Sequence, residues 1–463
     1  MLQTKSKSIQ LDVYEILEEA KKLNRNYISI VERIEPIHPI DFYSAFHETF
    51  GNRYFWKQAD CGIVFVGIGV EKTFETKNAK NRFRHIHSEW ESFLKNVHFD
   101  SSIPWTGPLL LGGFSFFDEK ELNSKWDKFP SGQMVLPKVM LTVHDDQHYL
   151  TFNFKINKET SVDDIEERMN EIYHQFSADY KENLEDNELN ELNTLEYEEW
   201  AHLINEAVQT IKSGKLGKVV LARELEAIFE NKITIESVLQ HLYDTEQDCY
   251  VFIMENDGDL FVGATPERLV RVEGEEILST CLAGTISRGK DESEDEALAT
   301  RLLNDKKNRE EHQFVVDMVK DAIRPYSNHL SIPDNPTIYR LKHLQHLYTP
   351  VTATLKKGIS IFDLVQSLHP TPALGGDPTD KALSYIKVKE PFDRGWYAAP
   401  VGFVDSQFNG EFAVAIRSAL IQGNEATLFA GCGVVLESDP LEEFDETDLK
   451  FMPMLKALGG KNE

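Results

Sequence analysis

The side chains that could do acid–base chemistry lie far apart, from residue 218 onward, in a 463-residue chain. Lys218 opens the run Lys218-Val219-Val220-Leu221-Ala222-Arg223, downstream of Gly214 and Gly217. Its β-branched residues and Leu221 predict a short buried strand. Alternation then puts Lys218, Val220 and Ala222 on one face, with Lys218 the odd member of an apolar row. Alone, such a lysine is either a strand-end side chain snorkelling to water or a partly desolvated ammonium able to act as a general base. Glu267 is presented by the loop Gly263-Ala264-Thr265-Pro266-Glu267. Glu311 lies on a helical stripe continued by Val315, Met318 and Ala322, and a carboxylate there needs a partner. That partner is either Lys307, four residues back, or a metal ion. His346 and His369 sit in mixed polar and apolar settings. Arg417 falls within a predicted strand at 411–421, and Gly431-Cys432-Gly433 allows close approach to backbone. Glu443 and Glu446 follow one turn apart on one helical face. Taken singly, each is more often structural than functional.

The elements that must carry these groups alternate between strand and helix. Strand patterns occupy Tyr27–Val31, Tyr54–Trp56, Ile63–Ile68 and Leu109–Phe116, and Val135–Val143 pairs with Tyr149–Phe154 across Asp145-Asp146-Gln147. Gly67-Ile68-Gly69 lacks the third glycine of a dinucleotide fingerprint. Helical spacing covers 10–24 and 79–97. An acidic helical stretch, 162–193, thins into polar low-complexity sequence, which divides a β-rich first half, 1–190, from a catalytic region, 194–455. Asn193, with Glu196 three residues later, predicts the cap of a helix whose apolar face is Trp200, Leu203, Ile204, Ala207, Val208 and Ile211. Further on come a hairpin around Asn256-Asp257-Gly258, a strand Ile277–Leu282 ending at Ala283-Gly284-Thr285, one long helix over 293–324, and strands at 397–404 and 411–421.

Composition narrows the function. Hydrophobic residues make up 41% of the chain, ample for a core, and 49 basic against 77 acidic side chains leave a net charge of −28. With no basic block, nucleic acid and anionic membrane surfaces are poor partners. Cys61, Cys249, Cys281 and Cys432 have neither zinc-ligand spacing nor the look of a disulfide framework. No apolar run reaches membrane-spanning length and MLQTKSKSIQ lacks a signal-peptide core, so a cytoplasmic protein is expected.

The motifs KVVLAR, GATPERL, CLAGTISRG, KKNREEHQFVVD, HLYT, HPTPALGG, AIRSAL, AGCGVV and SDPLEEFDET occur in that order over 194–455. In this the chain resembles the chorismate-utilising enzymes, which include isochorismate, anthranilate, salicylate and aminodeoxychorismate synthases. The first half, with YFWKQAD and LLLGGFSF, is most similar to the isochorismate synthases of menaquinone biosynthesis. Lys218 stands where anthranilate synthases have glutamine, so no glutamine amidotransferase subunit is expected. Ala283 stands where aminodeoxychorismate synthases have a nucleophilic lysine. The Leu-Leu-Glu-Ser stretch of tryptophan-regulated anthranilate synthases is missing. Salicylate synthases share the lysine but carry Thr-Ala in place of Ala373-Leu374. Asn308 departs from the glutamate of anthranilate synthases, in a position tied only to an auxiliary metal role.

The resemblance implies an α/β fold of two facing β-sheets with outer helices, both halves contributing. It implies an isomerase that converts chorismate to isochorismate by adding water at C2 and expelling the C4 hydroxyl. Lys218 would be the base, Glu267 the acid, and His346 the neighbour of the departing hydroxyl. Mg2+ would be held by Glu311 and Glu446, with Glu443 assisting from behind these ligands or through water. Arg417 and Tyr397 would clamp the enolpyruvyl carboxylate, and Gly284, Thr285, Ala373, Leu374, Gly431 and Gly433 would line the substrate. A siderophore-pathway enzyme, a salicylate synthase and a non-catalytic chorismate-binding protein are the alternative readings. Either a monomer or a homodimer is compatible with the resemblance.

Overall fold

In the computed structural model of the protein, residues 13–46, 52–59, 62–76, 80–118, 124–177, 187–341 and 344–459 are described. Cys61 lies outside them, as do the first residues of the helix expected at 10–24, of which 13–22 are helical. Two large sheets face each other. The larger, of 13 strands, runs Leu189–Thr194, Lys218–Phe229, Glu425–Val434, Ser418–Gln422, Asp259–Thr265, Tyr250–Asn256, Arg53–Lys57 and Ile63–Ile68, then continues through first-half strands to Val97–Phe99. The smaller, of 10 strands, has at its centre Leu344–Leu355, Glu276–Ser287, Arg268–Glu273, Gly410–Val414, Pro400–Asp405 and Leu109–Phe114. First-half strands are therefore welded into both sheets: Arg53–Lys57 pairs with Tyr250–Asn256, and Leu109–Phe114 with Pro400–Asp405.

Aromatic side chains fill the space between the sheets. Phe403 of the smaller sheet meets Phe65 and Trp56 of the larger edge-on, at ring-centroid separations of 4.8 and 5.8 Å, a geometry aromatic rings favour. Helices cover the outer faces. Val238, Leu239, Met454 and Ala457 from helices Ile235–Thr245 and Pro440–Ala457 join Ala419, Ile421 and Leu428 of the larger sheet in one apolar cluster. Helix Lys306–Ile323 buries His312, Val315, Val316, Val319 and Ile323.

Several elements differ from their sequence patterns for local reasons. Val135–Val143 is two strands in different sheets, Gly132–Leu136 and Val139–His144, parted at Pro137, which lacks the donor a continuous ladder needs. Its second part does form the expected hairpin, turning at Asp145 and Asp146 with φ of 50° and 58°. The expected helix over 293–324 is two, Glu292–Asn304 and Lys306–Ile323, because Asp305 is extended and accepts the Asn308 amide at 2.8 Å as an N-cap. Among the described residues of the acidic stretch, Val162–Ser177 is helical. Leu189–Thr194 is an edge strand on Lys218–Phe229, so Asn193 caps nothing and the next helix starts at Tyr197 behind Glu196. The strand expected at Ile277–Leu282 continues to Ser287 through a bulge at Gly284, whose φ is 76°.

Twice, side by side, the chain crosses between the sheets. Strand Asp259–Thr265 of the larger sheet passes through Pro266-Glu267 into Arg268–Glu273 of the smaller. Strand Gly410–Val414 of the smaller passes through Ala415-Ile416-Arg417 into Ser418–Gln422 of the larger. The crossovers are bonded together, Val414 N donating to the Glu267 carbonyl at 2.9 Å and Ala264 N to the Arg417 carbonyl at 3.1 Å. Arg417 is thus not inside a strand, as its surroundings suggest, but at a junction.

Candidate active site

Lys218 is the first residue of a 12-residue strand, longer than the hexapeptide predicts but with the same alternation. Val219 and Leu221 point outward, into a cluster with Trp200 and Ile204 of helix Tyr197–Lys212. Lys218, Val220 and Ala222 face inward, and the neighbouring strand sets Gly433 opposite Val220 and Gly431 opposite Ala222. Both glycines are partly exposed although Ala430, Cys432 and Val434 are buried, so this face opens onto a cleft. Gly433 has a steric reason to lack a side chain: a Cβ there would lie 2.8 Å from Lys218 Cε and 3.2 Å from Nζ. A Cβ on Gly431 would meet the Tyr397 hydroxyl at 3.1 Å.

Lys218 is not a free snorkelling lysine. Its side chain is 13% exposed and its Nζ lies 2.7 Å from Glu311 Oε1. Glu311, at the edge of the buried stripe, therefore finds its partner across the cleft and not in Lys307. The sharp turn Thr371–Gly376 runs beside the lysine: Val220 N bonds the Gly375 carbonyl at 2.9 Å and Gly217 N the Asp377 carbonyl at 2.8 Å. This places the Ala373-Leu374 segment near Lys218, with Ala373 half-buried and Leu374 buried.

The crossovers deliver the other groups. Arg417 adopts φ of 50°, a left-handed conformation uncommon for a residue with a side chain. Glu267 opens onto the cleft yet is surrounded by protein, and burial pushes its carboxyl up to about 7, with Lys450 and Arg417 partly offsetting this. Tyr397 is buried, stacked on Phe429 at 5.1 Å, and burial holds its hydroxyl protonated. His346 sits opposite Thr285 in the bulged pair of strands, its Nδ1 3.0 Å from Thr285 Oγ1. Burial, with Arg417 and Lys450 nearby, lowers its imidazole to about 3, so the ring is neutral. Its Nε2 is buried without a hydrogen-bond partner, leaving a position that a ligand hydroxyl can fill. Gly284 is buried, with Asn308 Oδ1 3.0 Å from where a Cβ would stand. His369, by contrast, is spent structurally: it is enclosed, held at about 3 by burial, and its Nε2 lies 3.1 Å from the Phe116 carbonyl.

Helix Pro440–Ala457 brings Glu443, Glu446 and a residue the motif reading passed over, Lys450. Lys450 Nζ lies 2.7 Å from the Gly431 carbonyl and 2.7 Å from Glu446 Oε1, and its charge reaches both Glu267 and His346. In sequence Glu446 and Lys450 read as an ordinary i,i+4 surface pair; only the contact with Gly431 reveals the lysine as cleft-facing.

A profile described as chorismate binding enzyme matches residues 15–459. The chain is a chorismate-binding enzyme. Among curated relatives of this family, isochorismate synthase MenF of Bacillus subtilis is 41% identical over 100% of both chains. The salicylate biosynthesis isochorismate synthase of Pseudomonas aeruginosa is 34% identical over 93% of this chain and 90% of its own. Among solved structures, the menaquinone-specific isochorismate synthase MenF of Escherichia coli has a TM-score of 0.78, covering 98% of this chain and 100% of that one at 23% identity, a likeness of fold. Anthranilate synthase component I of Streptococcus pneumoniae has a TM-score of 0.68, covering 92% of each chain at 19% identity. The two-sheet architecture with outer helices is that of this chorismate-binding family. No helix among the described residues is long and apolar enough to cross a membrane.

A metal centre is not preassembled: among the described residues no three His, Cys, Asp or Glu side chains converge on one point. The donor chemistry nevertheless suits a hard cation. Glu311 and Glu446 are each held by a lysine ammonium at 2.7 Å. Glu443 is pushed above the usual carboxylate range by burial, with Glu446 adding repulsion. Carboxylates that need a positive charge, with no nitrogen or sulfur ligand among them, are what Mg2+ accepts.

Proposed function

We propose that this chain is an isochorismate synthase of the menaquinone type, adding water at C2 of chorismate and releasing the C4 hydroxyl. The observation that carries the reading is one cleft holding a lysine given room by Gly433 and a buried glutamic acid whose carboxyl sits at about 7. Water is a poor nucleophile and hydroxide a poor leaving group, so the reaction needs a base and an acid together. Lys218, once it has parted from Glu311 and given up its ammonium proton to solvent, takes the proton of the attacking water as a free amine, and Glu267, protonated near neutral pH, gives a proton to the departing hydroxyl. Neutral His346 offers Nε2 to that hydroxyl and holds it in place. Arg417 grips the enolpyruvyl carboxylate with its planar guanidinium while the Tyr397 hydroxyl donates to it. Glu311 and Glu446, aided by Glu443, would hold Mg2+, and the bound ion would supply positive charge that polarises the substrate's ring carboxylate. Gly284, Thr285, Gly431 and Gly433 line the ring, and Ala373 and Leu374 bound it without a hydroxyl of their own. Region 194–455 supplies every one of these groups, and 1–190 supplies strands that complete both sheets.

The test is purified protein incubated with chorismate and Mg2+, with products separated chromatographically. Isochorismate in equilibrium with chorismate is expected. Unchanged chorismate would leave a binding protein, and stoichiometric pyruvate with salicylate would make the chain a salicylate synthase.

A further inference from the structure

Glu411 is a carboxylate with no exposed surface in the interior between the sheets. A charge so placed is costly unless it is fully bonded. Three donors converge on it. Arg268 Nε lies 2.5 Å and Tyr250 Oη 2.6 Å from Oε1, and Gln58 Nε2 lies 2.5 Å from Oε2. The donors belong to different parts of the fold. Gln58 follows first-half strand Arg53–Lys57, Tyr250 begins a larger-sheet strand, and Arg268 begins a smaller-sheet strand. Each end of the ion pair is anchored to one of the two crossovers. Arg268 directly follows Glu267, and Glu411 lies on the strand that runs through Val414 into the Arg417 junction. Backbone bonds between the crossovers set their spacing, and Glu267 N donates to Thr265 Oγ1 at 3.2 Å; the Arg268–Glu411 bond adds a side-chain tie between the two crossovers on the smaller-sheet side.

We propose that Glu411 is a positioning residue which, through Arg268, fixes the Glu267 carboxyl relative to Arg417, with Gln58 as the first half's contribution to the site. It rests on the isochorismate synthase reading, in which Glu267 is the acid and Arg417 the carboxylate clamp. Glu411 itself touches no substrate. Its effect falls on the proton-transfer step, where a displacement of about 1 Å can cost on the order of a hundredfold in rate.

The experiment compares wild type with Glu411→Gln and Tyr250→Phe, measuring kcat, KM for chorismate and the pH dependence of kcat, well below each unfolding temperature. Glu411→Gln is expected to lower kcat about ten- to a hundredfold and to move the alkaline limb of the pH profile set by Glu267, with KM changed less than about threefold. Tyr250→Phe keeps the ion pair and loses one bond, so a smaller change in the same two quantities is expected, about threefold in kcat. If Glu411→Gln cannot be obtained folded, Tyr250→Phe decides alone. Variants that melt earlier but keep the wild-type kcat and pH limb would show a purely structural network and overturn the proposal. A wild type without turnover would instead remove the isochorismate synthase reading, and the positioning role with it.

Discussion

Replacing Glu267 by glutamine should make this protein more stable at alkaline pH while removing its activity. In the fold the carboxyl titrates at about 7, against 4.5 for an unperturbed glutamate. A raised value in the folded state means that the associated stability is fully present below the unfolded-chain value and is lost as pH rises through the folded one. Wild type therefore gives up stability between about pH 4.5 and pH 8, as Glu267 ionises in a site that disfavours its charge. At 1.36 kcal/mol per pH unit the gap amounts to about 3 kcal/mol, an upper figure because the side chain opens onto the cleft. For a chain of 463 residues, an unfolding entropy of roughly 1 kcal/mol/K converts this to about 2–3 °C in Tm. Glu267→Gln has nothing to ionise and keeps that stability. Thermal melts of both proteins at pH 5 and pH 8.5 isolate the effect, since every other titrating group is common to both. The variant should match wild type at pH 5 and melt about 2–3 °C higher at pH 8.5, while its kcat falls on the order of a hundredfold or more through loss of the acid. A melting difference independent of pH, or of opposite sign, would refute the assignment of Glu267 as a buried neutral acid.

Further outcomes follow from the same cleft. Lys218→Gln should fold, because the Glu311 it abandons is 37% exposed and can be solvated; chromatography should find no isochorismate. Gly433→Ala should cut kcat about tenfold or more by driving a Cβ against Lys218 Cε, with little change in Tm. Chelation by EDTA should abolish turnover and added Mg2+ restore it, with Glu311→Gln raising the Mg2+ needed for half-maximal rate at least tenfold; full activity in metal-free buffer would end that assignment. A coupled dehydrogenase assay should detect no pyruvate over a full time course on chorismate, the reaction stopping at a mixture of two isomers.

Local patterns placed the candidate residues on strands, loops and helices, but not on the junctions that hold them. The inward row Lys218, Val220, Ala222 was legible because a two-residue period survives any sheet arrangement. Glu311 stood out as a carboxylate beside an apolar stripe, although its partner proved to be Lys218, 93 positions away in the chain. Arg417 was misplaced because 411–421 is apolar but for Glu411, Arg417 and Ser418, and a strand that leaves one sheet for the other stays buried, so the pattern shows no clear break at the junction. Val135 was joined to Val143 across Pro137 and the exposed Lys138, because apolar runs on both sides outweighed that two-residue interruption. Lys450 escaped notice because helix spacing gave it an adequate local partner in Glu446. Periodicity reports which face is buried, and it cannot report which of two sheets a strand belongs to.

The weaving of early strands into late ones also has a consequence during synthesis. Arg53–Lys57 leaves the ribosome about two hundred residues before its neighbour Tyr250–Asn256 is made, a delay of about 10–40 s at usual elongation rates. Leu109–Phe114 waits longer still for Pro400–Asp405. For that time Phe55, Trp56, Leu110 and Leu111 have no lasting burial on those sides. The nascent chain must be kept from pairing its open edges with other chains. Slow early translation would lengthen that exposure, so the hazard for this enzyme is the time spent half made.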